Sequence, residues 1–251
     1  MELTVCMLVR REYIMVKIEH LTKAYGNKLA VDDLSLEIKP GEIYGFIGHN
    51  GAGKTTTIKA CCGILPFDSG EIYIGGKSIK ESPLECKSMM AYIPDNPDLY
   101  DFMTGIQYLN FVADIFGVSA SRREELIHLY ADTFELTADL AQPISAYSHG
   151  MKQKLALISA LIHEPKLIIM DEPFVGLDPK ASHLLKEIMR KICDEGGAIF
   201  FSTHVLEVAE KLCDRIAIIK GGRLIKSGTM EEVRGDESLE SVFLELEENH
   251  G

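Results

Sequence analysis

The 251 residues of this chain are 46% hydrophobic, ample for a large core, and no run approaches the ~18 apolar residues of a membrane-spanning helix. The net charge of −12 sits in two stretches: residues 101–147 at −5 (seven acids against Arg122 and Arg123) and residues 229–251 at −7 (eight acids against Arg234). That acidity weighs against a phosphate-backbone partner such as nucleic acid, and six cysteines without a C-x-x-C pair weigh against zinc and suit a reducing cytoplasm.

Residues 1–14 lack a cleavage site of small residues, and Arg10-Arg11 follow the apolar stretch instead of leading it. A signal peptide is therefore not expected, and an upstream start or a loose arm is. Met15 opens a natural strand start at 16–19, and residues 31–38 alternate as a second strand. Pro40-Gly41 turn the chain into a buried strand at 43–47, after which a helix opens at Lys54. Asp68-Ser69-Gly70 and Gly75-Gly76 bracket a strand at 71–74, and Ala91-Tyr92-Ile93 is a short buried strand closed by Pro94. From 101 to 142 the period turns helical, with Tyr108, Phe111, Val112, Ile115 and Phe116, then Leu126, Leu129, Tyr130 and Phe134, as its apolar positions. Strand and helix then alternate: strand 167–170, helix 182–194, strand 198–201, helix 205–212, strand 215–219. The rhythm predicts an α/β fold with a mostly parallel sheet and crossover helices. The tail from Thr229 is acidic and helix-prone, with Leu239, Val242, Phe243 and Leu246 on one face.

Gly48-His49-Asn50-Gly51-Ala52-Gly53-Lys54-Thr55-Thr56 fits the phosphate loop, G-x-x-x-x-G-K-[ST]. Glycines let the backbone curl so that successive N–H groups face one anion. Lys54 adds a point charge at the β/γ-phosphates, Thr55 offers a hydroxyl to Mg²⁺, and the helix that opens there aims its positive end at the phosphates. The strand before and the helix after are the context the motif requires, so the chain is expected to bind a nucleoside triphosphate.

Leu167-Ile168-Ile169-Met170-Asp171-Glu172 is an apolar strand ending in two acids. A phosphoryl-transfer site needs both, because a carboxylate engaged with a metal is a poor proton acceptor. Adjacent positions at a strand end point apart. Asp171 is thus expected to face the metal and Glu172 the attacking water.

Taken with those two motifs, residues 16–246 resemble an ATP-binding subunit of an ABC transporter. Ala146-Tyr147-Ser148-His149-Gly150-Met151-Lys152-Gln153-Lys154 is similar to the family signature, Gly176-Leu177-Asp178 to its dimer-contact loop, and Phe201-Ser202-Thr203-His204 to the segment whose histidine contacts the γ-phosphate. Tyr25 matches the aromatic that stacks on adenine. The resemblance implies a P-loop core with an N-terminal antiparallel β region, an ATPase domain over 16–228, a helical insert over about 96–147, and a tail over 229–251 beyond an extension at 1–15.

The resemblance further implies ATP and Mg²⁺ as ligands. Tyr25, Gly48, Asn50, Gly51, Ala52, Gly53, Lys54, Thr55 and Thr56 would hold the nucleotide in one subunit, and Ser148, Gly150 and Asp178 would meet it from the other. Thr55, Asp171 and Asp95 would attend the metal, with Glu172, His204 and Lys54 catalytic. The partners implied are a second ATP-binding subunit, identical or not, and separate transmembrane permease subunits, with the chain peripheral on the cytoplasmic face of the cell membrane. Exporter-type relatives carry a tail similar to Ser238-Leu239-Glu240-Ser241-Val242-Phe243-Leu244-Glu245-Leu246. A non-transport ABC ATPase and a regulatory nucleotide-binding module are the alternatives. Two positions depart from the pattern: His149 replaces a small residue, and Asp95 stands where glutamine is usual, adding charge near the metal.

Overall fold

The structure, a computed structural model, describes residues 13–249; Cys6 and nearly all of the expected N-terminal arm lie outside the described residues. Among the described residues ten strands form two sheets. An antiparallel sheet of order β2-β1-β4-β5 contains β1 (Val16–Tyr25), β2 (Lys28–Ile38), β4 (Ser69–Ile74) and β5 (Lys77–Ser78). The second has order β10-β9-β3-β8-β7-β6, built from β3 (Ile43–Ile47), β6 (Met90–Ile93), β7 (Leu167–Asp171), β8 (Ala198–Thr203), β9 (Arg215–Lys220) and β10 (Arg223–Thr229). Its strands are parallel except β10, which returns antiparallel beside β9.

Alternation along the parallel strands divides the core in two. Tyr44, Phe46, Leu167, Ile169, Phe200 and Ile219 face the antiparallel sheet and α1 (Lys54–Cys61). Ile43, Ile47, Ile168, Met170, Ile199 and Phe201 face the opposite way, onto a helical layer. That layer contains α3 (Gly105–Ile115), α4 (Ala120–Thr133), α5 (His149–Leu161), α6 (Pro179–Asp194), α7 (Leu206–Leu212), α8 (Met230–Arg234) and α9 (Leu239–Asn249). Every residue of β3, β7 and β8 is buried, as a sheet covered on both faces requires. The carboxyl ends of these three strands come together, the usual place for a ligand on an open parallel sheet.

Several expected elements change extent. The first strand runs on to Tyr25, past a bulge where His20 takes φ +52°, and the helix expected at 182 begins at Pro179 because Asp178 caps it. Three elements carried no periodic signal: α2 (Pro83–Met89), β5 and β10, the last a polar edge strand.

The stretch expected to be helical holds α3 and α4, and its apolar positions divide between core and surface. Helix α3 buries Gly105, Leu109 and Ala113, whereas Phe111, Ile115 and Phe116 are exposed, as is Leu129 of α4. The helical period marks an apolar face without saying what covers it. Tyr100, Phe111 and Ile115, with Tyr92, Tyr108 and His163, line an open groove of about 320 Å³.

Candidate nucleotide site

The phosphate loop leaves β3 and enters α1 through backbone conformations that only glycine holds without strain. Gly53 sits at φ +108°, and a Cβ there would lie 2.3 Å from the Ala30 carbonyl of β2. Lys54 is 6% exposed, and its Nζ donates to the carbonyls of Gly48 (2.6 Å) and His49 (3.3 Å). The Ala52 amide is also spent inside the loop, donating to His49 at 3.1 Å. The loop is therefore closed on its own lysine, which must leave these carbonyls to meet a phosphate.

Asp171 ends β7 with one carboxylate oxygen accepting from the Ser202 hydroxyl of β8. Its other oxygen, Oδ2, is buried and has no hydrogen-bond partner. A sealed, unpartnered carboxylate oxygen is costly, and a cation relieves it. Thr55, which carries a hydroxyl, lines the same cavity as Asp171. One carboxylate and one hydroxyl, completed by phosphates and waters, is a donor set suited to Mg²⁺. Among the described residues no group of three or more His, Cys, Asp or Glu could hold a metal, so these two residues need the nucleotide's oxygens.

Glu172 turns out of the strand at φ +48°, an uncommon conformation for a residue with a side chain. Its amide donates to the Ser202 hydroxyl at 3.1 Å. Its Oε1 lies 2.9 Å from His204 Nδ1 and 3.5 Å from Lys54 Nζ. The cluster Lys54, Glu172 and His204 is thus assembled from the start of α1 and the ends of β7 and β8.

A cavity of about 310 Å³ gathers Tyr25, His49, Asn50, Gly51, Gly53, Lys54, Thr55, Thr56, Asp95, Asp171 and Glu172. Tyr25 offers a half-exposed ring there, with Lys23 Nζ 5.6 Å from its centroid. Asp95 stands at the edge, its carboxylate accepting from the Asn96 amide at 2.8 Å. Gly48, Ala52 and His204 are adjacent but do not line it.

Ser148, Gly150 and Asp178 do not line it either. Ser148 caps α5, accepting from the Met151 amide, and is exposed. Asp178 caps α6 through the Ala181 amide (2.8 Å) and pairs with Lys154 Nζ (2.8 Å), which holds its carboxyl below the usual range. His149 packs on Gly176, where a Cβ would approach its ring within 2.5 Å. A glycine in the facing loop thus makes room for the large signature residue.

Sequence reasoning missed Ser202, Lys28 and Ala30. Lys28 and Ala30 line the cavity from β2, with no motif to mark them. Ser202 is a hydroxyl at a fully buried strand position, two residues before His204, and nothing in the sequence separates it from a serine that faces water.

Residues 31–175 match the family described as ABC transporter. The chain is 35% identical to the ABC-type transporter ATP-binding protein EcsA of Bacillus subtilis, over 92% of this chain and 96% of the relative. It is 36% identical to the Nod factor export ATP-binding protein I of Paraburkholderia xenovorans, over 85% of this chain and 70% of that protein. A solved structure described as an ATP binding subunit of an ABC transporter superimposes with a TM-score of 0.89 at 34% identity, covering 93% of this chain and 99% of its own.

Proposed function

Because the chain belongs to the ABC transporter family, as one of its ATP-binding ATPase subunits, we propose that it drives export through permease subunits by closing on ATP as a dimer. The observation that carries this reading is the division of the site. Lys54, Thr55, Asp171 and Glu172 share one cavity, while the Ser148–Gly150 helix start and Asp178 lie outside it. A second copy, or a related subunit, would bring its own helix start to the γ-phosphate, where Ser148 and the helix dipole favour an anion.

On that reading the phosphates take the loop amides, and Lys54 Nζ exchanges the Gly48 and His49 carbonyls for phosphate oxygens. The exchange also parts Lys54 from Glu172. Free of that cation, the Glu172 carboxylate accepts the proton of the attacking water, oriented by His204 Nδ1. Thr55 and Asp171 would hold Mg²⁺, which neutralises charge on the phosphates when bound. Tyr25 would stack on the adenine.

Export rests on the relative named for it and on the C-terminal segment. Among the described residues no helix is long and apolar enough to cross a membrane, so the passage would belong to separate permease subunits. Peripheral attachment to the cytoplasmic face of the cell membrane follows. The open aromatic groove beside α3, whose lining includes Tyr92 and Asp98 on either side of Asp95 in the chain, is the surface we assign to their docking segment.

The test is Glu172→Gln, which keeps shape and removes the base. Turnover is expected to fall roughly 10²–10⁴-fold, and the variant to elute as a dimer with saturating ATP in size-exclusion chromatography. A monomeric variant under those conditions contradicts the proposal.

A further inference from the structure

We propose that helix α9 is a clamp on the phosphate loop, with Phe243 positioning that loop through His49. The inference rests on the loop's reading as a nucleotide site and adds to it a role for the C-terminal segment.

Phe243 is 5% exposed, and its ring meets the His49 ring edge-on, centroids 5.0 Å apart with 66° between planes. His49 is the second residue of the loop. Its carbonyl accepts both the Ala52 amide (3.1 Å) and Lys54 Nζ (3.3 Å), so holding this residue holds the turn and its lysine.

The other end of the clamp is anchored. Leu239 and Val242 are buried in the same apolar cluster as Ile47, the residue before the loop, and Ala209 of α7. Helix α8, which leads into α9, is fixed by a reciprocal Thr229–Glu232 cap and tied to α7 by Arg234–Glu210 at 2.8 Å. Helix α7 opens two residues after His204. The C-terminal helices thus rest on elements that carry both the loop and the histidine.

A helix that only roofed the core would end its contacts on apolar side chains. Phe243 instead reaches a polar ring at the exposed rim of the loop. A held backbone means that an arriving phosphate displaces a lysine side chain and need not order the turn, which lowers the entropic cost of binding.

The full chain is titrated with a fluorescent ADP analogue in Mg²⁺, alongside thermal melts. Phe243→Leu and His49→Ala are each expected to weaken binding about 3- to 10-fold, a size in keeping with an aromatic pair. The double variant should bind no worse than the weaker single one. Phe243→Tyr, which keeps a ring against His49, should bind within about twofold of wild type, and if Phe243→Leu does not fold, Phe243→Met, which keeps bulk and loses the ring, takes its place. Unchanged affinity in Phe243→Leu or its replacement, additive losses in the double variant, or equal losses in Phe243→Tyr and the ringless variant would overturn the clamp. A wild-type chain that fails to bind ADP would instead overturn the nucleotide reading beneath it.

Discussion

Ser202 serves both acids of the site: its hydroxyl donates to Asp171 and accepts the Glu172 amide. Removing it strands a second oxygen on a carboxylate that already has one unpartnered. Ser202→Ala is expected to lower stability by about 1–3 kcal/mol, the cost of a buried polar group left unsatisfied. Urea unfolding measures it, and a loss below about 0.5 kcal/mol would mean that water replaces the hydroxyl. Lys54, Thr55, Asp171 and Glu172 were legible in the sequence because fixed spacing and an apolar strand announce them. Ser202 was not, since a serine in a strand reads the same whether it faces water or a carboxylate.

At the scale of elements, the end of α5 and the end of α3 meet through His163 stacked on Phe116, centroids 3.7 Å apart and 12° from parallel. The ring's Nε2 donates to the Met90 carbonyl at 3.3 Å, and burial lowers its pKa below the ordinary 6.5. The folded state therefore resists protonation, and the unfolded chain binds more protons as pH falls through about 6.5. The stability that neutral His163 contributes is complete above that pH and is lost below it. His163→Phe keeps the stack and cannot ionise, so the fall in Tm between pH 7 and pH 5 should be shallower than in wild type; parallel curves would exclude a role for this ring. Strands β3, β7 and β8 were readable because burial on both faces writes an unbroken apolar run. Edge strand β10 and short α2 carry no such run, and the exposure of one apolar face of α3 was not readable because periodicity records polarity and not coverage.

Across the whole molecule, the groove assigned to the permease is lined by Tyr92 and Asp98 and the nucleotide cavity by Asp95, with no lining residue in common. Binding to one surface and hydrolysis at the other should therefore be separable. Phe111→Asp is expected to abolish co-purification with the permease while the isolated chain's ATPase activity changes less than twofold. Loss of both together would place Phe111 in the fold instead of the interface.

The described cysteines, Cys61, Cys62, Cys86, Cys193 and Cys213, are all buried with free thiols, and burial pushes Cys61 and Cys193 up to about 12. A thiol needs both access and ionisation to attack an electrophile. With Cys6 changed to serine, a maleimide dye should leave the native protein unlabelled for as long as it stays shut. Five sulfurs spread through both halves of the interior then act as a stopwatch for breathing, each marking when its own neighbourhood opens. Prompt labelling of any of them at neutral pH would expose a seam in the interior.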